Sequence, residues 1–170
     1  MGLFTSTEFN SLDELLVEQL QDLYDAENRL LDALPKMADA ATSPELKQAF
    51  QSHLQETKGQ VNRLEQAFKM LDKSAKRESC EAMKGLIKEG EEMIEAKGDP
   101  GVKDAALIAA AQRVEHYEMA GYGSARNFAQ RCGRQDIAEL LQQTLQEEGN
   151  ADKKLTEIAE TSVNAAAAKA

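Results

Sequence analysis

Six residues of the 170-residue chain have the side chains and the spacing to hold metal ions: Glu27, His53, Glu56, Glu115, Glu118 and Glu148. Apolar residues recur around them in steps of three and four, which marks the buried faces of helices. Glu27 interrupts the series Leu12, Leu16, Leu20, Leu23, Leu30, Leu34, Met37, and Glu118 fills the gap in Leu107, Ala111, Val114, Gly121, Ala125, Phe128. Glu148 takes an apolar slot in the series Ile137, Leu141, Thr144, Leu155, Ile158. The stripe of Leu46, Phe50, Leu64, Ala67 and Leu71 has a polar middle of His53, Glu56 and Gln60. A carboxylate in such a slot is expensive to bury unless positive charge meets it. No Lys or Arg falls on these four stripes. Protonated carboxyls or a bound cation must compensate, and bundles build metal sites from inward side chains on facing helices. Oxygen-rich ligation with one or two imidazoles suits iron or manganese, with zinc an alternative.

The elements that carry these residues can be placed from their ends. The first helix begins at Ser11, with Glu14 three residues on in capping-box spacing, and Pro35 is expected to bend it. Thr42 and Glu45 repeat that spacing at the start of a second helix, about 44–72, with Pro44 in its first turn. So short a connection makes the two helices antiparallel. After the break at 73–79, a shorter amphipathic segment with Cys80, Met83, Ile87 and Ile94 stops at Gly98-Asp99-Pro100-Gly101 and reads as a crossover helix. The third long helix runs over about 102–131, and Cys132-Gly133-Arg134 turns it into the fourth. The expectation is an all-α antiparallel four-helix bundle, residues 1–160 forming one domain. Residues 1–10 read as a lead-in and the Ala-rich stretch 161–170 as a flexible tail.

Counting from the two tight turns brings the glutamates to one level. Glu27 lies 15 residues before Thr42 and Glu56 lies 14 after it, while Glu118 and Glu148 each lie 15 from Gly133. At the helical rise all four stand about 21–22 Å from their turns. Glu27 to Glu118 spans 91 residues and Glu56 to Glu148 spans 92, a cryptic repeat of helix pairs.

A chain of this length buries about 70% of its unfolded surface without help from disulfides or metal. The formal net charge of −10 argues against a nucleic-acid or anionic-membrane partner and favours cations. Two isolated cysteines, with no charged-then-apolar leader and no membrane-length apolar run, point to reduced thiols in the cytoplasm.

The segments Asp22-Leu23-Tyr24-Asp25-Ala26-Glu27, His53-Leu54-Gln55-Glu56-Thr57, 104–118 ending in Glu115-His116-Tyr117-Glu118, and Leu145-Gln146-Glu147-Glu148 carry a resemblance. Across about residues 10–160 the chain resembles the YciF/YciE-like family of bacterial stress-associated proteins. That resemblance implies the ferritin-like fold, a dinuclear metal site and a homodimer, and the oxygen-rich donor set suits two iron ions, with manganese or zinc as alternatives. Glu115-x-x-Glu118 is also similar to the paired glutamates of rubrerythrin-type proteins. Ferritin-like sites usually carry Glu-x-x-His on the second and fourth helices, yet Gly59 and Ala151 stand at those positions here. The histidine instead precedes its glutamate as His53-x-x-Glu56, and Asp152 lies one turn beyond Glu148.

On this reading Glu56 and Glu148 bridge two metals, with Glu27, His53, Glu115 and Glu118 as terminal ligands. The chain then binds Fe(II) and reduces oxygen or peroxide, or it sequesters metal, or it keeps the fold as a structural protein. Around the site, Tyr24 is placed to donate to Glu27 or to fill the core, His116 to make a hydrogen bond or a subunit contact, and Glu147 to face solvent. Tyr117 and Tyr122 are assigned to a subunit surface, and Cys80 and Cys132 to packing.

Overall fold

In the computed structural model, which describes residues 8–170, four long helices and one short one carry the chain. They are α1 (Leu12–Ala40), α2 (Pro44–Met70), α3 (Glu81–Glu95), α4 (Pro100–Arg131) and α5 (Gln135–Ile158). Residues 1–7 of the expected lead-in lie outside the described residues. No strand occurs among the described residues, and no helix there is long and apolar enough to cross a membrane.

Ser11 caps α1 by accepting from the Glu14 amide at 3.1 Å, while the Glu14 carboxylate accepts from the Asn10 amide at 2.7 Å. The reciprocal bond thus closes one residue further out than a capping box. The helix runs on through Pro35, whose ring faces solvent. The cap of α2 is Ser43 rather than Thr42. Buried Asp104 of α4 takes the Thr42 hydroxyl and amide at 2.7 and 2.9 Å and the Ser43 amide at 2.7 Å, so Thr42 has no freedom to cap.

That contact sets the end of α1 beside the start of α4, and the two run antiparallel. Arg126 with Gln142 and Gln112 with Asp152 set α4 and α5 antiparallel. Ser162 with Glu45 and Arg63 with Thr144 do the same for α2 and the chain of α5. The crossover is anchored midway along α1, where buried Asp25 accepts from Arg29 at 2.6 Å, from Arg77 at 2.9 Å and from the Cys80 amide at 2.9 Å. Cys80 then caps α3, which packs on α1 and α4.

The apolar interior divides in two. One cluster gathers Leu30, Leu34, Leu46, Phe50, Leu107 and Ile158 with Cys80 and Met83. The other gathers Leu16, Leu20, Leu23, Leu64, Phe68, Tyr122, Ile137 and Leu141. Leu12, expected in the stripe, is exposed in the first turn, and Leu71 and Phe128 are only partly buried. The stretch after Ile158 is helical rather than frayed: a π turn at Ala159–Val163 and a short helix α6 (Asn164–Ala167) follow, and Val163 is buried.

Candidate metal centre

Between the two apolar clusters lies a belt of buried polar side chains from all four long helices: Glu27 on α1, His53 on α2, Glu115 and Glu118 on α4, Glu148 on α5. His53, Glu115, Glu118 and Glu148 each bring a ligand atom within 4.8 Å of the others. His53 Nε2 stands 3.5 Å from Glu115 Oε1 and 3.6 Å from Glu148 Oε2. Both oxygens of Glu118, both of Glu148, Glu27 Oε2, Glu115 Oε2 and His53 Nε2 are buried with no hydrogen-bond partner. Buried polar atoms are nearly always paired, so this concentration of unpaired ones describes a site built for something else.

The electrostatics agree. Burial above all pushes Glu27, Glu118 and Glu148 well above the ordinary carboxylate range, and repulsion among the carboxylates adds to it. Glu115 is pushed up to about 8, again chiefly by burial. Burial works to lower His53, but the bond to Glu56 and the charges of Glu148 and Glu27 outweigh it and raise the imidazole. Among the described residues no Lys or Arg forms an ion pair with Glu27, Glu115, Glu118 or Glu148. Carboxylate oxygens plus one imidazole, buried and unpaired, fit a hard or borderline cation such as iron or manganese.

Glu56 does not face inward as the sequence suggested. Its side chain is 44% exposed, and it meets His53 from the rim, Oε2 lying 3.2 Å from Nδ1. The inward series on α2 is Phe50, His53, Thr57, Gln60, Leu64, and Thr57 occupies the slot given to Glu56. Thr57 donates its hydroxyl to the His53 carbonyl at 3.0 Å. With Nδ1 engaged by Glu56, Nε2 is the nitrogen that turns to the carboxylates.

Over residues 11–168 the sequence matches a family described as a domain of unknown function, DUF892. The chain belongs to the DUF892 family. Protein YciF of Escherichia coli (strain K12) is 44% identical over 155 residues, 91% of this chain and 93% of YciF. The crystal structure of that E. coli stress protein matches with a TM-score of 0.88, covering 92% of this chain and 99% of YciF. YcfI of Rhodopseudomonas palustris, described as a candidate structural protein, is 42% identical with a TM-score of 0.86, covering 90% of this chain and 98% of YcfI. The YciF-like resemblance carried by the four helix segments is thus the resemblance of a DUF892 member to its relatives.

Several partners in this DUF892 chain differ from those expected. Tyr24 donates to Glu65 at 2.9 Å and stacks edge-on against Phe68, so it does not reach Glu27. That role falls to Tyr122, which is fully buried and not on a subunit surface; it donates to Glu27 Oε1 at 2.5 Å. Tyr117 turns to Asp22 at 2.5 Å and lies 3.0 Å from Cys80 Sγ. Burial pushes the Cys80 thiol up to about 11, which leaves it unreactive. Asp152 accepts from Gln112 at 3.0 Å and lies 3.3 Å from exposed His116, outside the cluster. Glu147 is held by both guanidinium nitrogens of Arg63, at 2.7 and 2.5 Å, and by Gln60 at 3.2 Å. Nothing in the sequence marks Arg63, whose Cα lies off the buried stripe and whose long side chain alone reaches in.

Proposed function

We propose that this chain is a ferritin-like four-helix bundle protein of the stress response whose buried carboxylates bind two iron ions, manganese or zinc being able to take their place. One observation carries the reading: six buried, unpaired carboxylate oxygens of Glu27, Glu115, Glu118 and Glu148 share the belt with the unpaired Nε2 of His53, and the last three glutamates and His53 bring ligand atoms within 4.8 Å of one another. Glu27, His53, Glu115, Glu118 and Glu148 would hold the ions. A pair of bound Fe(II) ions would supply two electrons, enough with two protons to take hydrogen peroxide to two waters. The protein's own contribution is to orient and to shield. Tyr122 fixes one oxygen of Glu27 and leaves the other unpaired, Glu56 fixes the tautomer of His53, and the apolar clusters shield the belt on either side.

A cytoplasmic homodimer is part of the same reading. Two free cysteines, one of them buried, agree with a reducing compartment, and light scattering tests the dimer. The net charge of −10 disfavours nucleic acid as a partner. A second reading follows the description of YcfI as structural: the bundle would keep its acidic belt without binding metal.

Anaerobic titration of metal-free protein with Fe(II), followed by oxygen or peroxide and near-ultraviolet absorbance, separates these readings. Two irons per chain and a fast absorbance rise support the redox protein. Two irons without turnover leave a sequestering protein, and no binding leaves the structural one.

A further inference from the structure

Two openings, one almost wholly apolar and one with polar groups among its lining, reach the same pair of side chains. One lies between α2 and α5, where Ser52, Glu56, Asn150 and Lys154 surround a pocket of about 200 Å³ whose inner wall is His53 and Glu115. The other lies beneath α3, where Leu30, Met37, Phe50, Ile87, Ile94 and Val114 line a half-open space of about 40 Å³ that the same His53 and Glu115 also border. The charged groups at its rim, Lys36 and Glu91, are paired with each other at 2.9 Å.

The two suit different guests. A hydrated cation entering between α2 and α5 meets the half-exposed Glu56 carboxylate and the Asn150 amide, which can replace its waters, while Lys154 at the same opening is paired with Glu157 at 3.0 Å. The cavity beneath α3 offers almost nothing to hydrogen-bond along its length, so it holds water poorly and suits an apolar guest. Its size decides which guest: 40 Å³ holds a diatomic gas or a noble-gas atom, not an alkyl chain or a ring. A Cβ at Gly90 would make an ordinary contact with Met37 Sδ at 3.9 Å, whereas a longer side chain there would extend into the space.

Building on the dinuclear reading, we infer that the cavity beneath α3 admits dioxygen to the His53 and Glu115 edge of the site, while cations and polar oxidants use the opening between α2 and α5. Xenon is the probe for the cavity, because it needs no metal. Xenon titration of the metal-free protein, followed by NMR, is expected to shift the methyl groups of Leu30, Ile87 and Val114. Gly90→Leu and, from the α1 side, Ala33→Leu are expected to weaken that binding about fivefold or more. In the iron-loaded variants, oxidation by dioxygen slows to a similar degree while oxidation by hydrogen peroxide stays within about twofold of the parent, with two irons per chain retained. Absence of xenon shifts in the parent, or equal slowing with both oxidants, overturns the inference. Iron binding without xenon binding removes the gas cavity alone, whereas xenon binding without iron binding removes the dinuclear reading and the delivery that rests on it.

Discussion

Tyr122 of α4 donates its hydroxyl to Glu27 Oε1 of α1 at 2.5 Å, with both side chains wholly buried. Burial, then the charges of Glu27 and Glu118, hold the phenol well above its ordinary range, so it stays a donor throughout the working pH of the protein. The bond selects one orientation of Glu27 and leaves Oε2 without a partner. It couples the apolar cluster containing Tyr122 to the carboxylate belt above it.

Removing that hydroxyl in Tyr122→Phe leaves a second oxygen of Glu27 unpaired. The metal-free protein is expected to lose about 1–2 kcal/mol of stability in urea unfolding. Calorimetric titration is expected to give the same two-iron stoichiometry with affinity weaker by about tenfold. Unchanged affinity would remove Tyr122 from the site.

The close approach of α4 to α1 at this level depends on Gly121. A Cβ at Gly121 would stand 2.8 Å from Leu23 Cδ2, so Gly121→Ala must displace a buried leucine at a cost of about 1–3 kcal/mol. Pairing it with Leu23→Ala, which opens room on the other side, is expected to give a double variant less destabilised than the sum of the two. Strict additivity in thermal unfolding would show that the contact carries no strain.

The helices and most of the belt could be read from sequence because both follow from a period. Four long runs of apolar residues in steps of three and four fixed the helices, and Glu27, Glu118 and Glu148 stood out as charges inside them. Residue counts to the turns set Glu27, Glu118 and Glu148 at one level, and all three are buried in the belt. What a period cannot resolve is the difference between neighbouring faces: Glu56 and Thr57 lie about 100° apart on α2, and the polar middle of that stripe gave no apolar marker to choose between them. Side-chain partners across helices were equally hidden. Nothing local distinguishes Tyr122 from Tyr24, or tells Thr42 that Asp104, 62 residues on, will take its hydroxyl.

Metal-free protein is expected to lose stability as pH rises. Glu27, Glu118 and Glu148 are raised well above the carboxylate value of 4.5, and Glu115 to about 8, by burial first. Within that window the folded chain holds protons that the unfolded chain has released, so unfolding becomes easier with increasing pH. Asp25 has the opposite sign: burial works to raise it, the bonds from Arg29, the Cys80 amide and Arg77 outweigh this, and the stability it lends is lost in acid. The thermal midpoint of the metal-free protein should therefore peak near pH 5 and fall by about 5–10 °C by pH 8. Iron or manganese should abolish the fall and release protons on binding.

Glu118→Gln separates stability from metal binding. Neither oxygen of Glu118 has a partner, and Glu27 and Glu148 both repel it. An amide of the same size carries no charge at any pH and can donate to those neighbours. At pH 8 the metal-free variant is expected to melt a few degrees higher than the parent, while its iron affinity falls by about a hundredfold. A variant that lost both stability and metal would instead mark Glu118 as a structural residue.

Glu56 decides between two designs of the site. On the rim, with Oε2 3.2 Å from His53 Nδ1, it acts on the imidazole; swung inward, it would bridge two ions as its spacing first suggested. The two roles differ in stoichiometry. If Glu56 orients His53, then Glu56→Ala keeps two irons per chain and weakens their binding by about 10–100-fold, and nitrogen-15 spectra show His53 losing its preference for one tautomer. If Glu56 bridges, the same substitution leaves at most one iron, and the tautomer of His53 in the metal-free protein hardly changes. The exposed position of the carboxylate and the buried Thr57 in the inward slot favour the first outcome.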